Sequence, residues 1–348
     1  MKKQADGSIL GKSVPEHQLA FEDFFLEKED YSHTLEFFDF CGAFVHRLRS
    51  MKQDKLPIIE ETFSHRGVQY LRQIVPAALL DDEGQTVMSY PTKREELVMH
   101  ALRYMAAQQV VEMGLDDKES RNITITFTLH QLRKELQKRG HGYKWSELDE
   151  ALDVLSRSTL KISYSDSKKR DSWSAPYLLG VQGRDTEGPG GAGSESLRRV
   201  ILHPLASLAI LTTATRRINY GRLMTLKNPL SRWLYSRMCH YCTNASHWRA
   251  FASQDAIGFR FTLRDVLEQS GCPRAARHRD NFRLVRKAIT ELIANGALHD
   301  PKVGFGHAFV ENADEETWII YPSKEVVAEI VDANRANSRP AQKLGLSD

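Results

Sequence analysis

The sequence predicts an α+β chain of two tandem winged-helix domains, each a helix-turn-helix core followed by a β-ribbon wing. Three observations carry that expectation. From Ile257 to Tyr321 the apolar periodicity reads strand, short helix, turn, longer helix, then two strand-like runs. The same order stands earlier in the chain: Phe127-Thr128-Leu129 and Phe261-Thr262-Leu263 both read as strand end, cap and first apolar residue of a helix. A strongly apolar helix precedes each triplet, so the pattern reads as an internal duplication.

Taken in order, residues 1–66 are expected to form a peripheral arm. Glu22 to Phe38 mixes acids with aromatics, a composition that suits docking onto a partner or wrapping the chain's own domain. Gln18-Leu-Ala-Phe21 resembles, over four residues, the short peptide that binds the bacterial sliding clamp.

Residues 67–204 are expected to be the first winged helix. Strand-like runs end at Pro91, and Thr92-Lys-Arg-Glu95 has the spacing of a capping box. The helix it opens carries Leu97, Val98, Ala101, Leu102 and Met105. Ile123–Phe127 alternates like a strand, and Thr128 to Gln131 repeats the cap signal ahead of Leu129, Leu132 and Leu136. After the turn Arg139-Gly-His-Gly142, a helix from about Lys144 to Arg157 carries Leu148, Leu152 and Leu155. Ribbon strands are expected over Thr159–Tyr164, Ala175–Val181 and Leu197–Leu202. The glycine-rich run from Gly188 to Ser194 lacks the Lys-Ser/Thr of a phosphate cradle and reads as a wing tip.

Residues 205–219 read as a helical linker on Leu205, Leu208 and Leu211. Residues 220–323 are the expected second winged helix. Its first helix, Leu223 to Tyr241, carries Leu226, Leu230, Trp233, Leu234 and Met238. Thr262 caps a short helix, Ser270-Gly-Cys-Pro273 stops it, and a longer helix runs from Arg277 to about Asn295 on Phe282, Val285, Ile289, Leu292 and Ile293. Val303–Val310 and Thr317–Tyr321 are the ribbon. In the tail, 324–348, a short helix on Val326, Val327 and Ile330 is expected.

The two halves differ in charge. Arg274, Arg277, Arg279, Arg283, Arg286 and Lys287 crowd the start of the last long helix, against Asp280. In a helix-turn-helix the second helix enters the major groove, where arginine can fork onto a guanine or hold a phosphate. Arg279, Arg283 and Arg286 are therefore the expected base contacts, with Arg277 and Lys287 on phosphates. The matching helix of the first half carries Glu147, Asp149, Glu150 and Asp153, which would repel DNA and suit protein contact. The Lys168-Lys169-Arg170 loop beside it suits the DNA backbone.

Composition narrows the classes further. At 348 residues two domains are expected, and 41% apolar content fills two ordinary cores. No apolar run approaches the ~18 residues of a membrane span, and Met1-Lys-Lys-Gln has no apolar signal core. Cys41, Cys239, Cys242 and Cys272 show no disulfide spacing, which fits a reducing cytoplasm. The net charge of +3 makes any nucleic-acid surface a local patch. Cys239-His240-Xaa-Cys242 with Cys272 or His278 lacks a second clean Cys-x-x-Cys pair, so buried cysteines are expected and no metal. Neither a His-x-His strand pair nor Gly-x-x-x-x-Gly-Lys-Ser/Thr occurs. No catalysis and no cofactor are expected. Trp173 and Trp248 fit core or interface packing better than stacking on bases.

Tyr90-Pro-Thr-Lys-Arg-Glu-Glu-Leu-Val-Met-His-Ala-Leu-Arg103, read with the tandem units, resembles the plasmid replication initiator (Rep) family over about residues 67–323. The resemblance implies binding to repeated origin elements, iterons. It implies that the second winged helix reads bases through Arg279, Arg283, Arg286 and Lys287 and that the first dimerises or touches the backbone. It further implies dimers that repress the initiator's own promoter, and monomers that open the origin and recruit a host initiator, helicase or clamp. The long first domain and glycine-rich wing depart from smaller members. A winged-helix transcriptional repressor, a nicking relaxase or nuclease, and a protein-interaction scaffold are the competing readings.

Overall fold

A computed structural model describes residues 31–34, 39, 41–46, 55–65, 68–81, 83–113, 122–166, 169–184, 197–203, 206–207, 216–241, 258–302 and 307–332. The chain is mixed α+β. It opens with strands β1 (Tyr31–Thr34), β2 (Ile59–His65), β3 (Val68–Val75), β4 (Ala77–Leu80) and β5 (Thr86–Ser89). Pro76 separates β3 from β4, because proline has no N–H for the ladder. Helix α1 (Lys93–Met113) is followed by β6 (Thr124–Thr128), α2 (Leu129–Lys138) and α3 (Trp145–Arg157), then β7 (Thr159–Asp166), β8 (Lys169–Pro176), β9 (Leu178–Arg184) and β10 (Leu197–Leu202). The second half contains β11 (Arg216–Asn219), α4 (Tyr220–Thr225), α5 (Pro229–Tyr241), β12 (Phe259–Thr262), α6 (Leu263–Gln269), α7 (His278–Ala294), β13 (Phe309–Asn312) and β14 (Thr317–Ile320). A last helix covers 324–332.

The repeated layout is visible in the sheets. In the first half a three-stranded antiparallel sheet has the order β6-β10-β9; in the second, β12-β14-β13. In each, the strand that leads into the paired helices lies beside the last strand, with the middle strand outermost. Thr128 and Thr262 each end their strand and cap the next helix in a complete capping box, with Gln131 and Asp265 answering. Phe127, Leu129, Phe261 and Leu263 are all buried. The first half adds a four-stranded sheet, β2-β3-β7-β8, and the β4-β5 hairpin.

Among the described residues two large hydrophobic cores result, beside a small cluster of Ala77, Leu79 and Val154. Leu97, Leu102, Phe127, Leu132, Leu152 and Val200 belong to one. Leu234, Phe261, Val285, Leu292, Trp318 and Ile320 belong to the other. The leading helices were expected to show one apolar stripe, but α5 is buried on every side from Leu230 to His240, polar residues included. One side of it packs in the second core, while Arg232 reaches Glu96 on α1 in a buried ion pair.

Four sequence expectations are corrected. Leu223 to Tyr241 is two helices, because Pro229 suits only a first helical position and the Asn228 side chain caps Leu230 N at 3.1 Å. Ala175–Val181 is split at Tyr177 between strands of different sheets. The expected helical linker ends in strand β11 at Arg216–Asn219, which pairs with β1. The segment before residue 67 is not peripheral in its described part: Cys41, Ala43, Phe44, Val45, Leu56, Ile59 and Phe63 are buried in the first core. The clamp-like Gln18–Phe21, the Gly188–Ser194 run, Trp248 and Cys242 lie outside the described residues.

Candidate nucleic-acid interface

Helix α6, the turn after it and helix α7 position the cationic face. Thr262 Oγ1 accepts from Asp265 N at 3.1 Å, and Asp265 Oδ2 accepts from Thr262 N at 2.9 Å, which fixes where α6 begins. At its end Ser270 Oγ donates to Val266 O (2.6 Å) and accepts from Cys272 N (3.1 Å). Gly271 then takes φ +69°, and a Cβ there would collide with the Phe44 carbonyl oxygen. Only glycine meets both conditions, so the sharp turn and its seat against the 41–46 segment depend on it.

The approach to α7 is fastened by a residue that sequence periodicity overlooks. Asn281 is buried; its Oδ1 accepts from Ala275 N at 2.7 Å and its Nδ2 donates to Ala275 O at 3.2 Å. This clasp folds the Pro273–Arg277 loop onto the helix. Its signal in the sequence is one polar residue beside the apolar stripe.

Phe282, Val285, Ala288, Ile289 and Leu292 turn inward on α7. Arg279, Arg283, Arg286, Lys287 and Thr290 turn outward, at the i, i+4, i+7, i+8 and i+11 spacing of one helical face. Arg274 and Arg277 are exposed ahead of them. Thus Arg279, Arg283, Arg286 and Lys287 share one outward face of α7, whereas Arg277 stands at its N-cap and Arg274 in the loop before it. The Arg279 and Arg283 side chains are 72% and 78% exposed, with Asp280 Oδ1 at 4.0 and 3.5 Å. Exposed pairs of this kind contribute little.

Arg286 departs from the expectation of a free arginine. Its Nε and Nη2 donate to Glu311 Oε2 and Oε1 at 3.0 and 2.6 Å, and the side chain stays 57% exposed. Hydrogen bonding from Arg286 pulls the Glu311 carboxyl below its ordinary range. Glu311 is on β13 and belongs to an acidic hairpin. Glu315 pairs with Arg260 at 3.0 Å, and Glu316, at φ +52°, meets His278 Nε2 at 2.9 Å. The hairpin acids thus brace cations of neighbouring elements. Sequence reasoning missed Glu311, whose partner stands 25 residues away.

In the first half Lys169 and Arg170 begin β8, opposite Asp166 and Ser165; Lys168 lies outside the described residues. The acids of α3, expected to be free for a partner, are largely engaged. Glu147 accepts from Lys144 N (2.6 Å), Asp149 holds Arg198 (3.0 Å) and Glu150 holds Arg94 (2.8 Å). Trp173 is half-buried against His203, ring centroids 4.2 Å apart. Cys239 is buried, and Cys272 is half-buried with its thiol pushed up to about 12 by burial. Among the described residues no helix is long and apolar enough to cross a membrane.

No family model and no curated protein matches the chain. Solved structures similar to it include two of RctB. One is the crystal structure of RctB domains 2-3, at TM-score 0.45 and 12% identity, covering 82% of this chain and 97% of that one. The other is that of selenomethionine derivatives of domains 2 and 3 of RctB, at TM-score 0.46 and 12% identity, covering 81% and 95%. At that distance neither likeness transfers a function.

Proposed function

We propose that this chain is a non-enzymatic, sequence-specific duplex-DNA-binding initiator of plasmid replication that binds origin iterons and represses its own promoter. The two halves are read as winged helices: domain 67–204 dimerises and touches the DNA backbone through Lys168, Lys169 and Arg170, and domain 220–323 reads bases. One observation carries the reading. The outward face of α7 holds Arg279, Arg283, Arg286 and Lys287 in a single row, opposite a fully buried apolar stripe. The turn that sets the helix in place is fixed by Gly271 and Asn281. A rigid cationic helix raised on a helix-turn-helix suits the major groove. The layout of helix, strand, two helices and hairpin, with the last strand central in its sheet, supports the winged-helix assignment.

The test is a nuclease footprint on the DNA flanking the native gene, with the purified full chain. Protection of short direct repeats, together with loss of copy number of an origin plasmid when the gene is removed, is the expected result. Protection of one operator with unchanged copy number identifies a repressor instead. A nick in supercoiled origin DNA with Mg²⁺ defeats the non-enzymatic reading.

A further inference from the structure

The cations of the α7 face are not equivalent. Arg279 and Arg283 swing from the helix, and among the described residues Asp280 is the acid that pairs with them. Arg286 is gripped side-on, its Nε–H and one Nη2–H both given to Glu311. Glu311 is itself placed by the sheet, since β13 pairs with β14 in a register that sets Glu311 opposite the buried Trp318. The Phe282 ring, one turn earlier on α7, lies 5.9 Å from Arg286 Cζ and supports the guanidinium from below.

The chemistry of this arrangement is selective. A guanidinium has five N–H donors. Two are spent on Glu311, and among the described residues the other three, on Nη1 and Nη2, take no partner. Those three include the end-on fork that matches guanine O6 and N7. The paired carboxylate also cancels much of the net charge, so this arginine is a poor phosphate anchor but keeps its directional donors. Holding the side chain in advance removes part of the rotamer entropy that a free arginine loses on binding.

We propose that Glu311 is a positioning residue for base recognition: it clamps one edge of Arg286 so that the other edge addresses a guanine in the major groove. The assignment rests on the reading of α7 as the DNA-contacting helix. It makes Arg286 the pre-set reader of the face, and the hairpin a brace for α7.

The experiment is selection of preferred sites from a randomised duplex pool by the full-length protein and by Arg286→Ala, Arg286→Lys and Glu311→Gln. Binding to the selected site and to every single-base change in it is measured at several salt concentrations. Arg286→Ala identifies the guanine position as the one that becomes indifferent. Glu311→Gln is expected to lose about tenfold of the discrimination at that same base pair while other positions keep theirs. Arg286→Lys is expected to lose the guanine preference and keep the salt slope, because its charge remains but its fork does not. Thermal melting of each variant separates these effects from loss of fold. If Glu311→Gln is unstable, Glu311→Asp, which keeps the charge but shortens the clamp, is expected to lose the same discrimination, and unchanged discrimination in it overturns the assignment. Unchanged preference at that position in Glu311→Gln, or uniformly tighter binding to all sequences, overturns the assignment and makes Glu311 a charge screen. No preferred site for the wild type overturns the base-reading role of α7, and this proposal with it.

Discussion

His203 packs its ring against Trp173, and burial, aided by the nearby Arg103 charge, lowers its pKa to about 3. His46, buried beside Glu96, is lowered to about 4. Both rings are largely neutral in the folded chain at pH 5, whereas an exposed histidine is almost fully protonated there. The unfolded chain therefore binds more protons, and stability rises with pH until the ordinary value of 6.5 is passed. Each ring contributes a loss of about 2 kcal/mol between pH 7.5 and pH 5. We expect His203→Leu to shrink the pH 7.5 to 5 difference in unfolding free energy by about that amount, measured by urea titration at both values. An unchanged difference would show that His203 is already proton-bound in the folded state. Nothing in the sequence marks either histidine as buried. His203 follows a strand of alternating pattern, and His46 stands in a segment too poor in apolar periodicity to reveal its place in the core.

At the scale of elements, α7 was legible almost whole. Its stripe, its glycine stop and its basic face all follow from 3.6-residue periodicity, and so did both Phe-Thr-Leu starts, because a cap and its answering side chain are three residues apart. What escaped depends on pairings between distant elements. The Arg286–Glu311 grip needs the β13–β14 register, and the engagement of the α3 acids needs Arg94 and Arg198 from other elements. The exposed pair Arg283 and Lys287 gives the element its sharpest test. We expect Arg283→Ala to cost about 1–3 kcal/mol on the preferred site and to relax one base position. Lys287→Ala should weaken binding to all duplexes alike and lower the salt slope by about one. The same change in sequence preference from both variants, read by quantitative shift assays, would refute the division into base and phosphate contacts.

At the scale of the molecule, the junction between the two cores includes buried ion pairs, which apolar patterning cannot foretell. Glu96, in the first turn of α1, is held by Arg232 of α5, with His46 and His100 at 3.8 and 3.9 Å. Arg232 also donates to Leu226 O at 2.7 Å. Beside this pair, Asp39 meets Arg103 at 3.2 Å and His240 at 3.3 Å. Burial by itself would raise the Glu96 carboxyl, but the Arg232 charge, His46 and the hydrogen bonds from His100 and Arg232 together outweigh it and hold the group below its usual range. Removing one partner of such a pair strands the other charge in the interior, at a cost of about 3–5 kcal/mol. We therefore expect Arg232→Met to be strongly destabilised in urea at pH 7.5. Adding Glu96→Gln should return much of the loss, giving a coupling of about 2 kcal/mol or more across the double-mutant cycle. The sign can be checked independently. Without Arg232, burial of Glu96 is less opposed, so its carboxyl should rise from its lowered position and bind a proton more readily in the fold, and the deficit of Arg232→Met relative to wild type should narrow as pH falls toward 5. Additive losses with no narrowing would mean that Glu96 is solvated when the two halves meet and that this pair does not join them. The cationic face of α7 is built from other residues, so binding per folded molecule should remain that of the wild type in every member of the cycle.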